Sequence, residues 1–364
     1  MKIIIVAGAR PNFIKIAPVI KAIKQAQSKN IDIHYHLVHT GQHYDKMMSD
    51  TFFEELNIPL PDVNLNCASG TQAEQTAAIM IAFEKELMKN PCDLVIVVGD
   101  VTSTMACAIV AKKLNTKVAH IEAGIRSFDL SMPEEINRMV TDSITDYFFT
   151  TSEFANTILK QQGVKESQIF YVGNVMIDTL FANLHRLKKP LFFDQLDLEA
   201  KQYLVLTLHR PNNVDNPEQL KLFLDTIVNH VYGLPVIFPV HPRTYKIFEQ
   251  LDFKAENLHT VQPMGYLEFM YLVKHAKCVI TDSGGITEET TCLGIPCMTL
   301  RDNTERPETC TIGTNELIGT NPVAMIPALE KLFNDNWKKG NIPYLWDGNT
   351  AERIINKIIE LYLC

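Results

Sequence analysis

Short apolar runs and longer segments of helical periodicity alternate along this chain. Runs at 3–7, 33–39, 93–98, 117–121 and 147–150 have the length and β-branched content of buried strands. Between them, segments at about 11–27, 45–56, 71–89, 103–114 and 134–143 repeat apolar positions every three or four residues. A second series follows, with strands at 203–208, 235–239, 258–261, 277–281 and 296–299 and helices at about 217–230, 244–250, 266–275 and 285–293. This alternation places helices on both faces of a parallel sheet. Two doubly wound α/β domains are expected, 1–172 and 173–349, joined near Gly173. The stretch 188–201 is charged and weakly patterned and reads as a connector. The last segment, 350–364, carries an amphipathic helix free to pack back on the first domain.

Ligands of such sheets bind outside the carboxyl ends of the strands. The unusual residues of this chain fall there. Gly8–Lys15 follows the first strand without the G-x-G-x-x-G spacing of dinucleotide sites, and presents Arg10 and Lys15 instead. Thr40-Gly41-Gln42-His43 follows the second, Asp100 the next, and Glu122 the one after. Glu134 and Arg138 open a helix. Each has a plain alternative. Asp100 suits an N-cap, Glu134 a helix N-terminus, and Glu134 with Arg138 an i,i+4 ion pair.

The second series contributes His209-Arg210, His241 with Arg243, and Thr281-Asp282-Ser283-Gly284-Gly285 leading into a helix. Paired glycines permit close backbone approach and unusual dihedrals, and a helix N-terminus favours an anion. Arg306 follows at a later strand-to-helix junction. Three carboxyl groups (Asp100, Glu122, Glu134) thus belong to one domain, and cations with a glycine-rich helix start to the other. That is acid–base equipment paired with an anion site.

Composition narrows the classes. A chain of 364 residues suits two domains, and a net charge of −8 argues against a nucleic-acid partner. A phosphorylated ligand must then be met by local positive charge. No apolar run has membrane-spanning length, and the N-terminus reads as a first strand rather than a signal peptide. Eight cysteines without a C-x-x-C pair suit reduced thiols and a cytoplasmic protein. His34, His36 and His39 lack the carboxylate or cysteine that would complete a metal site.

The runs Gly8–Lys15, Thr40–His43, Val98–Asp100, His120–Ser127, Pro133–Arg138, His209-Arg210, Asp282–Glu289 and Arg301–Glu308 resemble, in order, the non-hydrolysing UDP-N-acetylglucosamine 2-epimerases. The resemblance implies a GT-B architecture, two Rossmann-like domains with the active site between them. It implies a homodimer that needs no metal or redox cofactor. Arg10, Ser283, Gly284, Gly285, Glu289 and Arg306 would hold UDP, with Glu289 on the ribose and Phe269 beside uracil. Asp100, Glu122, Glu134 and His209 match the catalytic positions, and Lys15 and Arg138 the supporting ones; Arg210 accompanies His209 on the phosphate side. The product would feed a surface polysaccharide.

Two departures stand out. The loop Ser127–Met132 is shorter than in many bacterial members, and Tyr44-Asp45 follows Gln42-His43 where the substrate-activated branch has arginine or methionine. The shorter loop also occurs in relatives acting on UDP-2,3-diacetamido uronic acids. That substrate, a hydrolysing epimerase, a GT-B glycosyltransferase and a non-enzymatic nucleotide-sugar sensor are the alternatives.

Overall fold

The computed structural model describes residues 1–41, 53, 55–68, 70–240 and 242–363. They form two compact units, Met1–Ala182 with Tyr344–Cys364, and Asn183–Pro343.

The first unit holds a seven-stranded parallel sheet. Its strands are β1 (Lys2–Ala7), β2 (His34–His39), β3 (Val63–Asn64), β4 (Leu94–Val98), β5 (Lys117–Ile121), β6 (Tyr147–Thr150) and β7 (Ile169–Tyr171), in the order β3-β2-β1-β4-β5-β6-β7. Five consecutive residues of β1 and all of β4 are buried, as a sheet covered on both faces demands. Each such isoleucine or valine contributes about 1.5–3 kcal/mol. Helices α1 (Arg10–Ser28), α2 (Gln72–Lys89), α3 (Thr102–Lys113), α4 (Pro133–Ile144), α5 (Glu153–Gln161) and α6 (Val175–Asn183) follow the strands. Ile79, Phe83 and Leu87 of α2 pack with Ala106, Cys107 and Val110 of α3 against Ile4, Val6, Val95 and Val97.

The second unit repeats the plan with α7 (Leu191–Gln195), β8 (Leu204–Thr207), α8 (Pro211–Val214), α9 (Pro217–His230), β9 (Val236–Pro239), α10 (Pro242–Gln250), β10 (Leu258–Val261), α11 (Tyr266–His275), β11 (Cys278–Thr281), α12 (Gly284–Leu293), β12 (Cys297–Thr299), α13 (Pro307–Thr311), β13 (Asn315–Leu317) and α14 (Met325–Phe333). Its strand order is β10-β9-β8-β11-β12-β13. Both sheets reverse direction once, between β1 and β4 and between β8 and β11. Such a reversal opens a crevice at the carboxyl ends, so the loops after β1, β4, β8 and β11 are where a ligand belongs.

The chain passes to the second unit after Ala182 and returns at Tyr344, so the crossing is not at Gly173. Gly173 is gripped inside the first unit: with φ +100, a Cβ there would lie 2.2 Å from the Leu345 carbonyl oxygen. The last helix, α15 (Thr350–Leu363), packs on α1, and the Asp178 carboxylate accepts from the Thr350 and Ala351 amides at its start. The segment expected as a connector instead packs Phe193 edge-on against Tyr203 and Tyr271 of the second unit. The helix expected at 45–56 falls mostly outside the described residues, as do Gln42, His43, Tyr44, Asp45 and His241. Among the described residues no helix is long and apolar enough to cross a membrane.

Candidate active site

In the first unit the loops after β1, β4 and β5 are tied into one cluster. Asn12, in the first turn of α1, accepts from the Gly8 and Ala9 amides and donates to the Val98 carbonyl at the end of β4. One turn later Lys15 reaches Glu122, Nζ to Oε2 2.6 Å, with both side chains almost wholly buried. Glu122 itself has φ +72, a left-handed conformation that costs a non-glycine residue roughly 1–3 kcal/mol. The Phe149 carbonyl, accepting from the Glu122 and Ala123 amides, holds it there.

Asp100 follows Gly99 and accepts from Arg138 Nη1 at 2.6 Å. Arg138 also donates through Nε and Nη2 to Glu135 Oε2, at 2.9 and 2.6 Å. The partner of Arg138 within the helix is therefore Glu135, three residues before it, rather than Glu134 at i,i+4. Burial would raise the Glu135 carboxyl, but the Ser127 amide and Arg138 outweigh it and hold the group below the usual range. Glu134 stands exposed in the first turn of α4. Asp100 is not an N-cap, since α3 begins beyond it with Val101 in that place. The Arg10 backbone opens α1, and its side chain lies outside those described.

In the second unit Asp282, at the end of β11, organises the loop after β8. Its carboxylate accepts from the His209 and Arg210 amides, from Asn213 Nδ2, and from His209 Nδ1 at 2.8 Å. Burial would raise Asp282, yet the His209 ring and these amides keep it below the ordinary aspartate value. Arg210 Nε returns to the Asp282 carbonyl. The His209 side chain remains half exposed, so its other ring nitrogen is open to a ligand.

Ser283 is the N-cap of α12 and makes no side-chain capping bond. Neither Gly284 nor Gly285 has a left-handed φ, so unusual dihedrals do not explain them. Space accounts for Gly284, where a Cβ would lie 2.7 Å from Glu305 Oε1; at Gly285 a Cβ would meet nothing within 4 Å. Glu289 is buried one turn on and accepts from the Tyr266 hydroxyl at 2.8 Å; burial pushes its carboxyl up to about 8. Arg306 is buried and ion-paired with Glu288. Phe269 lies half-buried on α11.

Several of these partners are hard to read in sequence. Asn12, Glu135, Asp282 and Tyr266 act through neighbours brought together only by the fold. Asp282 alone carried a signal, as an acid at a strand end beside the glycine pair.

The sequence profile described as UDP-N-acetylglucosamine 2-epimerase matches residues 24–359. The chain belongs to the UDP-N-acetylglucosamine 2-epimerase family. It is 44% identical to a UDP-N-acetylglucosamine 2-epimerase of Methanocaldococcus jannaschii over 98% of each chain. It is 40% identical, over 88% of each, to a UDP-2,3-diacetamido-2,3-dideoxy-D-glucuronate 2-epimerase of Pseudomonas aeruginosa. The solved M. jannaschii epimerase in complex with UDP-GlcNAc and UDP superposes with a TM-score of 0.87 at 42% identity, covering 99% of this chain and all of that one. The fold is thus the GT-B-like one, built from two Rossmann-like units, that the sequence leads one to expect.

Proposed function

We propose that this family member interconverts UDP-N-acetylglucosamine and UDP-N-acetylmannosamine by inverting C2. The hydrogen at C2 is not next to a carbonyl carbon, so direct deprotonation is very unfavourable. Loss of UDP offers a route: the C1–O bond breaks, the C2 proton leaves, and UDP and 2-acetamidoglucal form. A proton then arrives at C2 from the other face as UDP re-adds at C1. The enzyme must stabilise the departing diphosphate and place proton-transfer groups at C2.

The observation that carries this reading is the pair of ion-paired carboxylates at the first sheet's reversal, Glu122 on Lys15 and Asp100 on Arg138. Each cation orients its partner. In our reading Asp100 and either Glu122 or Glu134 move the protons. His209, held by Asp282, meets the leaving phosphate with Arg210. Arg10, Ser283, Gly284, Gly285 and Arg306 complete the diphosphate site, supported by the free space beside the Gly285 Cα. Glu289, kept neutral by burial, donates to the ribose without repelling the phosphates. Phe269 stacks beside the uracil.

A uronic-acid substrate would need a cation of its own. Among the described side chains at the carboxyl end of the first sheet, Lys15, Arg126 and Arg138 each already bond a protein carboxylate, which favours the uncharged N-acetylhexosamine. The free thiols of the described cysteines suit a cytoplasmic enzyme, and a homodimer would appear as twice the chain mass in sedimentation velocity. Chromatography of a UDP-GlcNAc reaction tests the assignment. UDP-ManNAc is expected, with Asp100→Asn losing turnover while still binding UDP. Free ManNAc with UDP, or full activity in the variant, would contradict it.

A further inference from the structure

Beneath the carboxylates of the first unit lies a buried charged network that this chemistry does not use. His120, on β5, has no exposed surface. Its Nε2 donates to the Gly99 carbonyl at 2.8 Å, and its Nδ1 is hydrogen-bonded with Asp142 Oδ1 of α4 at 2.7 Å. Asp142 also accepts from the Gly124 amide at 3.0 Å and pairs with Arg126 Nη1 at 2.7 Å. Burial would raise the Asp142 carboxyl, but His120 and Arg126 hold it low. A carbonyl oxygen only accepts, so Nε2 is the donor to Gly99.

The Gly99 peptide is where this matters. Gly99 has φ +67, and a Cβ there would lie 3.1 Å from Lys15 Nζ and 3.8 Å from Glu122 Oε2. Asp100 is the next residue. Glycine has little preference of its own to hold this turn. The Gly99 amide is fixed by the Ile121 carbonyl, and its carbonyl by His120. The plane that orients Asp100 and underlies the Lys15–Glu122 pair is thus clamped on one side by a histidine.

We propose that His120, backed by Asp142, is a positioning residue that sets the Gly99 peptide and, through it, the Asp100 carboxylate and the Lys15–Glu122 pair. The proposal rests on the reading of those carboxylates as the proton-transfer groups. A core histidine that only fills space would be indifferent to which ring nitrogen is kept.

Two variants separate the nitrogens. In His120→Gln the amide can reach the Nε2 position and keep the bond to Gly99. In His120→Asn it can reach only the Nδ1 position and keep the bond to Asp142. Steady-state kinetics with UDP-GlcNAc, UDP titration calorimetry and melting curves are compared with wild type. His120→Asn should lose about 100-fold in kcat, the scale of an ångström-sized misplacement, with UDP affinity unchanged. His120→Gln should recover about tenfold or more of that loss. Equal kcat in the two variants, or wild-type kcat in His120→Asn, would overturn the proposal. Wild type inert on UDP-GlcNAc would overturn the functional reading, and this inference with it. If His120→Asn does not fold, Asp142→Asn takes its place, and wild-type kcat in that folded variant overturns the proposal equally.

Discussion

Lys15→Met removes the cation from the buried pair with Glu122 and leaves a carboxylate in a site that is 1% exposed. At 2.6 Å the attraction is worth about 6 kcal/mol at an effective dielectric constant of 20. Desolvation of both charges offsets part of that, and breaking buried pairs costs roughly 3–5 kcal/mol in practice. In a unit of about 200 residues this lowers Tm by roughly 6–20 °C. The second arm is the double variant Lys15→Met/Glu122→Gln, which removes the abandoned charge. It should regain most of the lost stability and none of the activity, since the carboxylate is gone too. Calorimetric melting of wild type, the two single variants and the double variant gives the coupling energy. A single variant that melts with wild type, or a double variant no more stable than Lys15→Met, would refute the pairing argument.

Other outcomes follow from neighbouring groups. Glu289 has its carboxyl raised to about 8, so wild-type UDP affinity should fall as pH rises through that value and the ionised group repels the diphosphate. Glu289→Gln should bind UDP near wild-type strength at pH 7 and lose that pH dependence, read by calorimetry. Asp282 is held below its unfolded value, so its stabilisation is present at neutral pH and lost as pH falls below the ordinary aspartate range. Asp282→Asn should flatten the acid limb of the melting profile and lower kcat by releasing His209. Gly99→Ala should cost about 1–2 kcal/mol for a left-handed alanine, and more activity than stability, because its Cβ meets Lys15.

The frame of this fold was legible because buried parallel strands advertise themselves. All ten strands expected from apolar runs are present, with ends shifted by a residue or so. The three that sequence reading omits, Val63–Asn64, Ile169–Tyr171 and Asn315–Leu317, are two- or three-residue edge strands with only one neighbour to bury them. Helices Glu153–Gln161, Val175–Asn183 and Met325–Phe333, and the short Leu191–Gln195 and Pro211–Val214, also lie outside the segments that periodicity marks. The crossing between units lies after Ala182 rather than at Gly173, where a left-handed glycine packs tightly against Leu345. At the site, residues at strand ends were visible as chemistry out of place. Their partners were not: Arg138 turns to Asp100 and Glu135 rather than Glu134, across 38 residues in the first case. The Arg138–Asp100 pairing depends on strand order, which periodicity alone does not give.

The central claim, inversion at C2 through elimination of UDP, is tested most directly by proton NMR of UDP-GlcNAc with the enzyme in D2O. Deuterium should enter C2 as UDP-ManNAc appears, in both epimers at equilibrium. Epimer formation with retention of the C2 proton, or no exchange and no epimer at all, would contradict the account.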